Sequence, residues 1–161
     1  MRLISFRHNN EPDVGVMVDD TGFVALSRVL PTAPRTLRGL LEQGEVAMRR
    51  VEAAVKGRKV DLRFDQVALD PVIPDPQVIW ALALNFKLHI EETGLETSKV
   101  HPHIFMRMPC SQVGHLQPMI CPDLSVARAF DYEAELAVVI GKTGRYIPIE
   151  RALEHVAGYS C

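Results

Sequence analysis

The stretch Asp131-Tyr132-Glu133-Ala134-Glu135-Leu136-Ala137-Val138-Val139-Ile140 decides how this chain is read. Its tail, Leu136 to Ile140, is apolar and rich in β-branched residues, which predicts a buried strand. Residues two apart on a strand point to the same face, so Glu133 and Glu135 aim their carboxylates together, with Asp131 beside them. Like charges held that close repel, and a buried carboxylate is costly unless something positive neutralises it. A hard divalent cation, which takes oxygen ligands, is the simplest neutraliser. The segment is therefore a candidate metal platform. The same pattern also describes an edge strand whose E-x-E face points into water, and residues elsewhere must choose between the two.

At 161 residues the chain has room for one ordinary domain, or for one domain with a small appendage. Its composition, 47% hydrophobic and 24% charged, is that of a globular protein rather than a disordered one. A net charge of −2 with interspersed signs offers no basic patch for nucleic acid. No apolar run approaches the roughly 20 residues that span a bilayer. The start, Met1-Arg2-Leu3-Ile4-Ser5-Phe6, lacks the apolar run and cleavage site of a signal peptide, so a cytoplasmic protein with no membrane partner is expected. Cys110, Cys121 and Cys161 lack C-x-x-C spacing and are expected as buried free thiols.

Residues 1–70 read as a small N-terminal α/β domain, a structural appendage. Short strands are expected at Arg2–Phe6, Val14–Val18 and Gly22–Leu26, with turns at Asn9-Asn10 and Asp19–Gly22. Thr36 is a candidate N-cap for a helix carrying Leu37, Leu40 and Leu41 and ending near Gly44. A second helix, from about Glu45 to Lys56, has Val46, Val51, Ala54 and Val55 as apolar positions and stops at Gly57. The segment Leu69–Pro76, with prolines at 71, 74 and 76, predicts a stiff linker. Residues 71–161 then form a second domain, opening on Gln77–Ala83 as a core strand with Trp80 inside. Ile104–Met108 reads as a strand, and Gly114, Pro118 and Pro122 mark a loop-rich stretch. Pro148 and Glu150 open a short helix with Ala152, Leu153 and Val156 on one face and a structural His155, before a strand from Gly158.

In Asn85-Phe86-Lys87-Leu88-His89-Ile90-Glu91-Glu92-Thr93-Gly94, His89 and Glu92 are neighbours on one helical turn. An imidazole beside a carboxylate is the ordinary form of a water-activating general base. An amphipathic surface turn with an exposed histidine has the same spacing.

Taken in order, the pieces say more. An apolar strand precedes Asn85-Phe86-x-x-His89-x-x-Glu92-x-Gly94. Phe105-Met106-Arg107-Met108-Pro109-x-Ser111-x-x-Gly114-His115 and Pro122 follow, then Asp131–Lys142 and Ala157-Gly158-Tyr159-Ser160. From about residue 72 to 161 the chain resembles the fumarylacetoacetate hydrolase family.

The resemblance implies an α+β fold, with the catalytic domain built on a mixed, rolled β-sheet, and a homodimer. It implies Mg²⁺ or Mn²⁺ bound by three carboxylates, two of them Glu133 and Glu135. It makes His89 and Glu92 the water-activating pair on a mobile lid, and sets Arg107 and Ser111 beside the pocket as substrate-binding residues. The implied reaction is hydrolysis of a carbon–carbon bond in a small 2-oxo or diketo acid, of the fumarylacetoacetate or acylpyruvate kind, in aromatic-compound or amino-acid catabolism. Isomerases (of the 2-hydroxyhepta-2,4-diene-1,7-dioate type), decarboxylases and a degenerate non-catalytic member share the pattern. Phe86 stands where many members carry Tyr, and the sequence stops at Cys161 before the third carboxylate and a downstream lysine. The expectation is a truncated catalytic domain that alone is neither stably folded nor active.

Overall fold

A two-residue turn sets the first hairpin. Strands β1 (Leu3–His8) and β2 (Glu11–Met17) pair antiparallel from Leu3↔Val16 to His8↔Glu11. Asn9 and Asn10 between them have φ of 54° and 65°. Left-handed backbone at both loop positions is type I′ geometry, which matches strand twist and which asparagine tolerates. The computed structural model containing this hairpin describes residues 1–94, 101–128, 130, 132 and 134–161.

Strand β3 (Gly22–Ala25) adds to β2 through a turn closed by Asp19. The Asp19 carboxylate accepts from the Thr21 amide at 2.7 Å, the Thr21 hydroxyl at 2.8 Å and the Gly22 amide at 3.1 Å. The two Thr21 bonds favour the ionised form and hold this carboxyl below its ordinary value. Helices α1 (Leu26–Val29), α2 (Leu37–Glu42) and α3 (Gly44–Val55) follow. Short strands β4 (Leu62–Arg63) and β5 (Ala68–Leu69) complete an antiparallel sheet in the order β4-β3-β2-β1-β5. Thr36 caps α2 as expected, its hydroxyl accepting from the Gly39 amide at 3.1 Å. Gly57, at φ 72°, ends the turn after α3. Gly44 opens α3 rather than closing α2.

Both faces of the sheet are apolar. Val14 and Val16 pack with Leu26, Leu37, Leu40, Ala47 and Val51 on the helical side. Phe6, Phe23, Ala25 and Leu62 form the other cluster, with the Phe6 and Phe23 rings 4.8 Å apart. Val46, expected as an apolar contact of α3, is exposed: the helical period turns Ala47 and Val51 inward and their neighbour out. Asp13 is buried and satisfied, one oxygen accepting from the Val14 amide at 2.9 Å and the Ser27 amide at 3.3 Å.

The proline-rich segment is strapped to this sheet. The Asp70 amide donates to the Ser5 carbonyl at 3.0 Å, the Ser5 hydroxyl donates to the Val72 carbonyl at 2.8 Å, and Val72 and Ile73 join the helix-side cluster. The chain divides into two compact units, residues 1–74 with 113–161, and residues 75–112. Within the first, a turn at Gly114 docks on the end of β5, where Gln117 Nε2 donates to the Leu69 carbonyl at 3.0 Å. Gly114 itself lies against that carbonyl so closely that a Cβ would overlap it.

Strands β6 (Ile79–Ala83) and β7 (His103–Arg107) form a two-stranded antiparallel ribbon in the second unit, with α4 (Lys87–Thr93) between them in sequence. Trp80 is not core; it is 62% exposed. Its face of the ribbon also carries Leu82, Ile104 and Met106, all exposed, and among the described residues no third strand joins the ribbon. In the first unit, β8 (Ala137–Ile140) pairs with β9 (Val156–Ser160), again as a two-stranded ribbon. The strand expected from Leu136 is shorter and not buried: Leu136, Val138 and Ile140 are exposed. Its pairing starts at Ala137↔Ser160, so no β9 residue stands opposite Glu135 or Leu136.

The segment before β9 is a 3₁₀ helix, Ile149–His155, and Leu153 is exposed. Three residues per turn instead of 3.6 move the inward face to His155, which is buried with Nδ1 2.9 Å from the Lys142 carbonyl. The three cysteines are exposed rather than buried: Cys110 sits in a 3₁₀ turn, and Cys121 and Cys161 lie outside any helix or strand. No helix among the described residues is long and apolar enough to cross a membrane.

Two outcomes are expected. Gly114→Ala should lower stability by about 1–3 kcal/mol in denaturant melts, because the new methyl meets a backbone carbonyl that cannot swing away. The Asp19 carboxyl has a folded-state value below its unfolded one, so its contribution is present above that unfolded value and lost as pH falls through the folded one. The gap in Tm between the wild type and Asp19→Ala should accordingly narrow as the pH drops below the ordinary value of 3.8.

Candidate active site

Two pairs of the expected site residues come together in the unit of residues 75–112. The first is on α4. Phe86 precedes the helix, and its carbonyl accepts the first helical bond from Ile90 at 3.1 Å. Gly94, left-handed at φ 63°, closes the other end through its amide to the Ile90 carbonyl. The helix is therefore short and sharply bounded, about two turns, and its period sets His89 and Glu92 side by side. His89 Nδ1 lies 3.9 Å from Glu92 Oε2. That is beyond hydrogen-bond range but within reach of one rotamer change. Lys87 and Glu91 pair at 3.7 Å one step round the helix. His89 is the less exposed partner, at 39% against 76% for Glu92, so the imidazole is partly sheltered while the carboxylate faces water.

The second pair sits where β7 ends. Arg107 closes the ribbon opposite Ile79. After it the chain turns through a 3₁₀ helix, Pro109–Ser111, with Pro at its first position as proline's fixed φ favours. That turn folds Ser111 back onto Arg107: guanidinium Nη2 donates to Ser111 Oγ at 3.2 Å and to the Ser111 carbonyl at 3.4 Å. Ser111 Oγ in turn donates to the Met108 carbonyl at 2.8 Å. The guanidinium is thus held through Nη2 while the arginine side chain stays exposed, a positioned cation of the kind that attracts a carboxylate ligand. Sequence reasoning named both residues but had no signal for their mutual contact, which depends on the tightness of the turn.

The carboxylate platform is described only in part. Glu133 and Asp131 lie outside the described residues. Glu135 is exposed and precedes β8 rather than lying within it. Among the described residues no group of three His, Cys, Asp or Glu side chains is close enough to hold a metal ion. Carboxylate oxygens of the kind Glu133 and Glu135 supply suit a hard divalent cation such as Mg²⁺ or Mn²⁺.

With the fold and these pairs in view, the family is established. Residues 78–161 match the family described as the fumarylacetoacetate (FAA) hydrolase C-terminal domain, and the chain belongs to it. The fold is accordingly α+β, of that family's type. Over 163 aligned residues the chain is 33% identical to an oxaloacetate tautomerase, named fahd2 and mitochondrial, of Xenopus laevis, covering 99% of this chain and 50% of that protein. Among solved structures it resembles a fumarylacetoacetate hydrolase from psychrophilic Exiguobacterium antarcticum, at 26% identity and a TM-score of 0.70, over 99% of this chain and 54% of that one. It shares the fold of a maleylpyruvate hydrolase from Sphingobium sp. SYK-6, crystallised with manganese(II) and pyruvate, at 24% identity and a TM-score of 0.75, over 99% and 56%. The chain spans about half the length of the curated relatives it matches.

An exposed pair at 3.9 Å contributes little to stability. Replacing Glu92 with Gln is expected to change the folding free energy by less than about 0.5 kcal/mol in a urea melt; a larger loss would mark the pair as structural instead.

Proposed function

We propose that this chain belongs to a divalent-metal-dependent enzyme that cleaves a carbon–carbon bond in a small 2-oxo or diketo carboxylic acid by hydrolysis. The observation that carries the reading is the His89–Glu92 pair, side by side on one helical turn of a chain of this family. In this reading Glu92 orients the imidazole, and His89 takes a proton from water so that the oxygen can attack the acyl carbonyl; the carbon–carbon bond then breaks, its electron pair leaving as the enolate of the 2-oxo acid, whose carbon takes a proton back from the imidazolium. Arg107, steadied by Ser111, binds a substrate carboxylate through its fork and fixes the acid's orientation. Glu133 and Glu135 would hold Mg²⁺ or Mn²⁺, which as a Lewis acid polarises the 2-oxo group. The substrate class is of the fumarylacetoacetate or acylpyruvate kind, the setting is catabolism of aromatic compounds or amino acids, and the working assembly is a homodimer.

A second reading, keto–enol tautomerisation or a related isomerisation, is favoured by the tautomerase name of the Xenopus laevis relative. The same residues serve it: a base moves a proton on carbon, and the arginine holds the acid. The two reactions differ in whether water becomes part of the product.

The test is a panel assay of the full polypeptide with Mg²⁺ or Mn²⁺ against acylpyruvates, oxaloacetate and hydroxymuconate-type dioates. Cleavage products from an acylpyruvate support hydrolysis, and enol–keto exchange of oxaloacetate without cleavage supports the second reading. Turnover of none of them overturns both. His89→Ala is expected to lower kcat by about 100-fold or more while metal affinity stays within twofold. Parallel loss of both would remove His89 from the proton-transfer role.

A further inference from the structure

The joint between β6 and α4 carries a conformation that its residue disfavours. Leu84 has φ of 53°, in the left-handed region where a side chain with a Cβ is uncommon and strained. The ladder to β7 ends at Ala83↔His103, and the first helical bond of α4 ends on the Phe86 carbonyl. Only Leu84 and Asn85 lie between these two fixed points, so their dihedral angles alone set the direction in which the helix leaves the ribbon. Asn85, the residue type that adopts left-handed backbone more readily, is not the one that does so. Leu84 is half-buried while its backbone is strained. Strain of this kind persists only where the surroundings over-determine it.

We infer that Leu84 is a positioning residue: its left-handed backbone aims α4, and with it His89 and Glu92, from the end of the β6–β7 ribbon. The inference rests on the reading of that pair as proton-transfer groups, but the joint is open to test without it.

Two variants of the full polypeptide separate the possibilities. Leu84→Val puts a β-branched residue where left-handed backbone is least tolerated, and Leu84→Asn puts one that accepts it. In amide hydrogen exchange, Leu84→Val should reduce protection in α4, at the amides of residues 90–93, by about tenfold or more while the β6–β7 amides stay as in the wild type. Leu84→Asn should keep wild-type protection. With whichever substrate the wild type turns over, the valine variant should lose about tenfold in kcat with KM within twofold, and the asparagine variant should restore it. Wild-type exchange in the valine variant, or equal loss of protection in both variants, overturns the inference. If exchange responds as expected while the wild type turns over no substrate, the joint stands and the functional reading of the pair fails.

Discussion

The register of β1 against β2 is the constraint on which the N-terminal sheet depends. Because the sheet buries apolar residues on both faces, a slip of one residue would carry Val14 and Val16 to the phenylalanine side or Phe6 to the helical side. Two features prevent that. The Asn9-Asn10 turn admits one pairing, and Gly15 leaves room for Ile4 and Phe23, which a Cβ there would approach to 2.6 and 2.7 Å. With the hairpin in place, β3 and β5 add to its two edges, and the proline-rich strap lies down along β1. The N-terminal sheet and its helices are thus well packed, whereas the ribbons that follow expose much of their apolar surface.

The unit of residues 75–112 works by a different economy. It has little buried core, and its order comes from ladder hydrogen bonds and sharply defined ends: Arg107 folded onto Ser111 at one end of the ribbon, the Leu84 joint at the other, and Gly94 closing α4. Such a unit places a few polar groups accurately without needing a large hydrophobic body behind them. The dyad and the anchored arginine are both products of tight local geometry.

Family membership narrows the chemistry to a class. Hydrolysis of a diketo acid and tautomerisation of a 2-oxo acid begin alike, with an acid held by its carboxylate and a base placed to move a proton. They diverge at whether a water molecule is admitted to the reacting carbon, a matter of pocket shape rather than of which residues are present. Proteins related to this one carry both hydrolase and tautomerase names.

Local rules were legible from the residues alone. Asparagine turns, the Thr36 cap, the Gly57 stop and the spacing of His89 and Glu92 each depend on a few adjacent residues, and each is found in the structure as read. Burial was not legible in the same way. Trp80 and Val138 look like core residues because apolar runs usually are, yet exposure depends on what covers a strand, which is a property of distant chain. The short strands β4 and β5 carry no periodic signal in two residues apiece and exist because a neighbouring edge recruits them. The sequence by itself thus determined the family, the chemical character of the candidate groups and the local turns, since these follow from residue type and near-neighbour spacing. Tertiary structure alone decided which faces are covered and that Gly114 must lie on the Leu69 carbonyl, because these depend on segments brought together by folding.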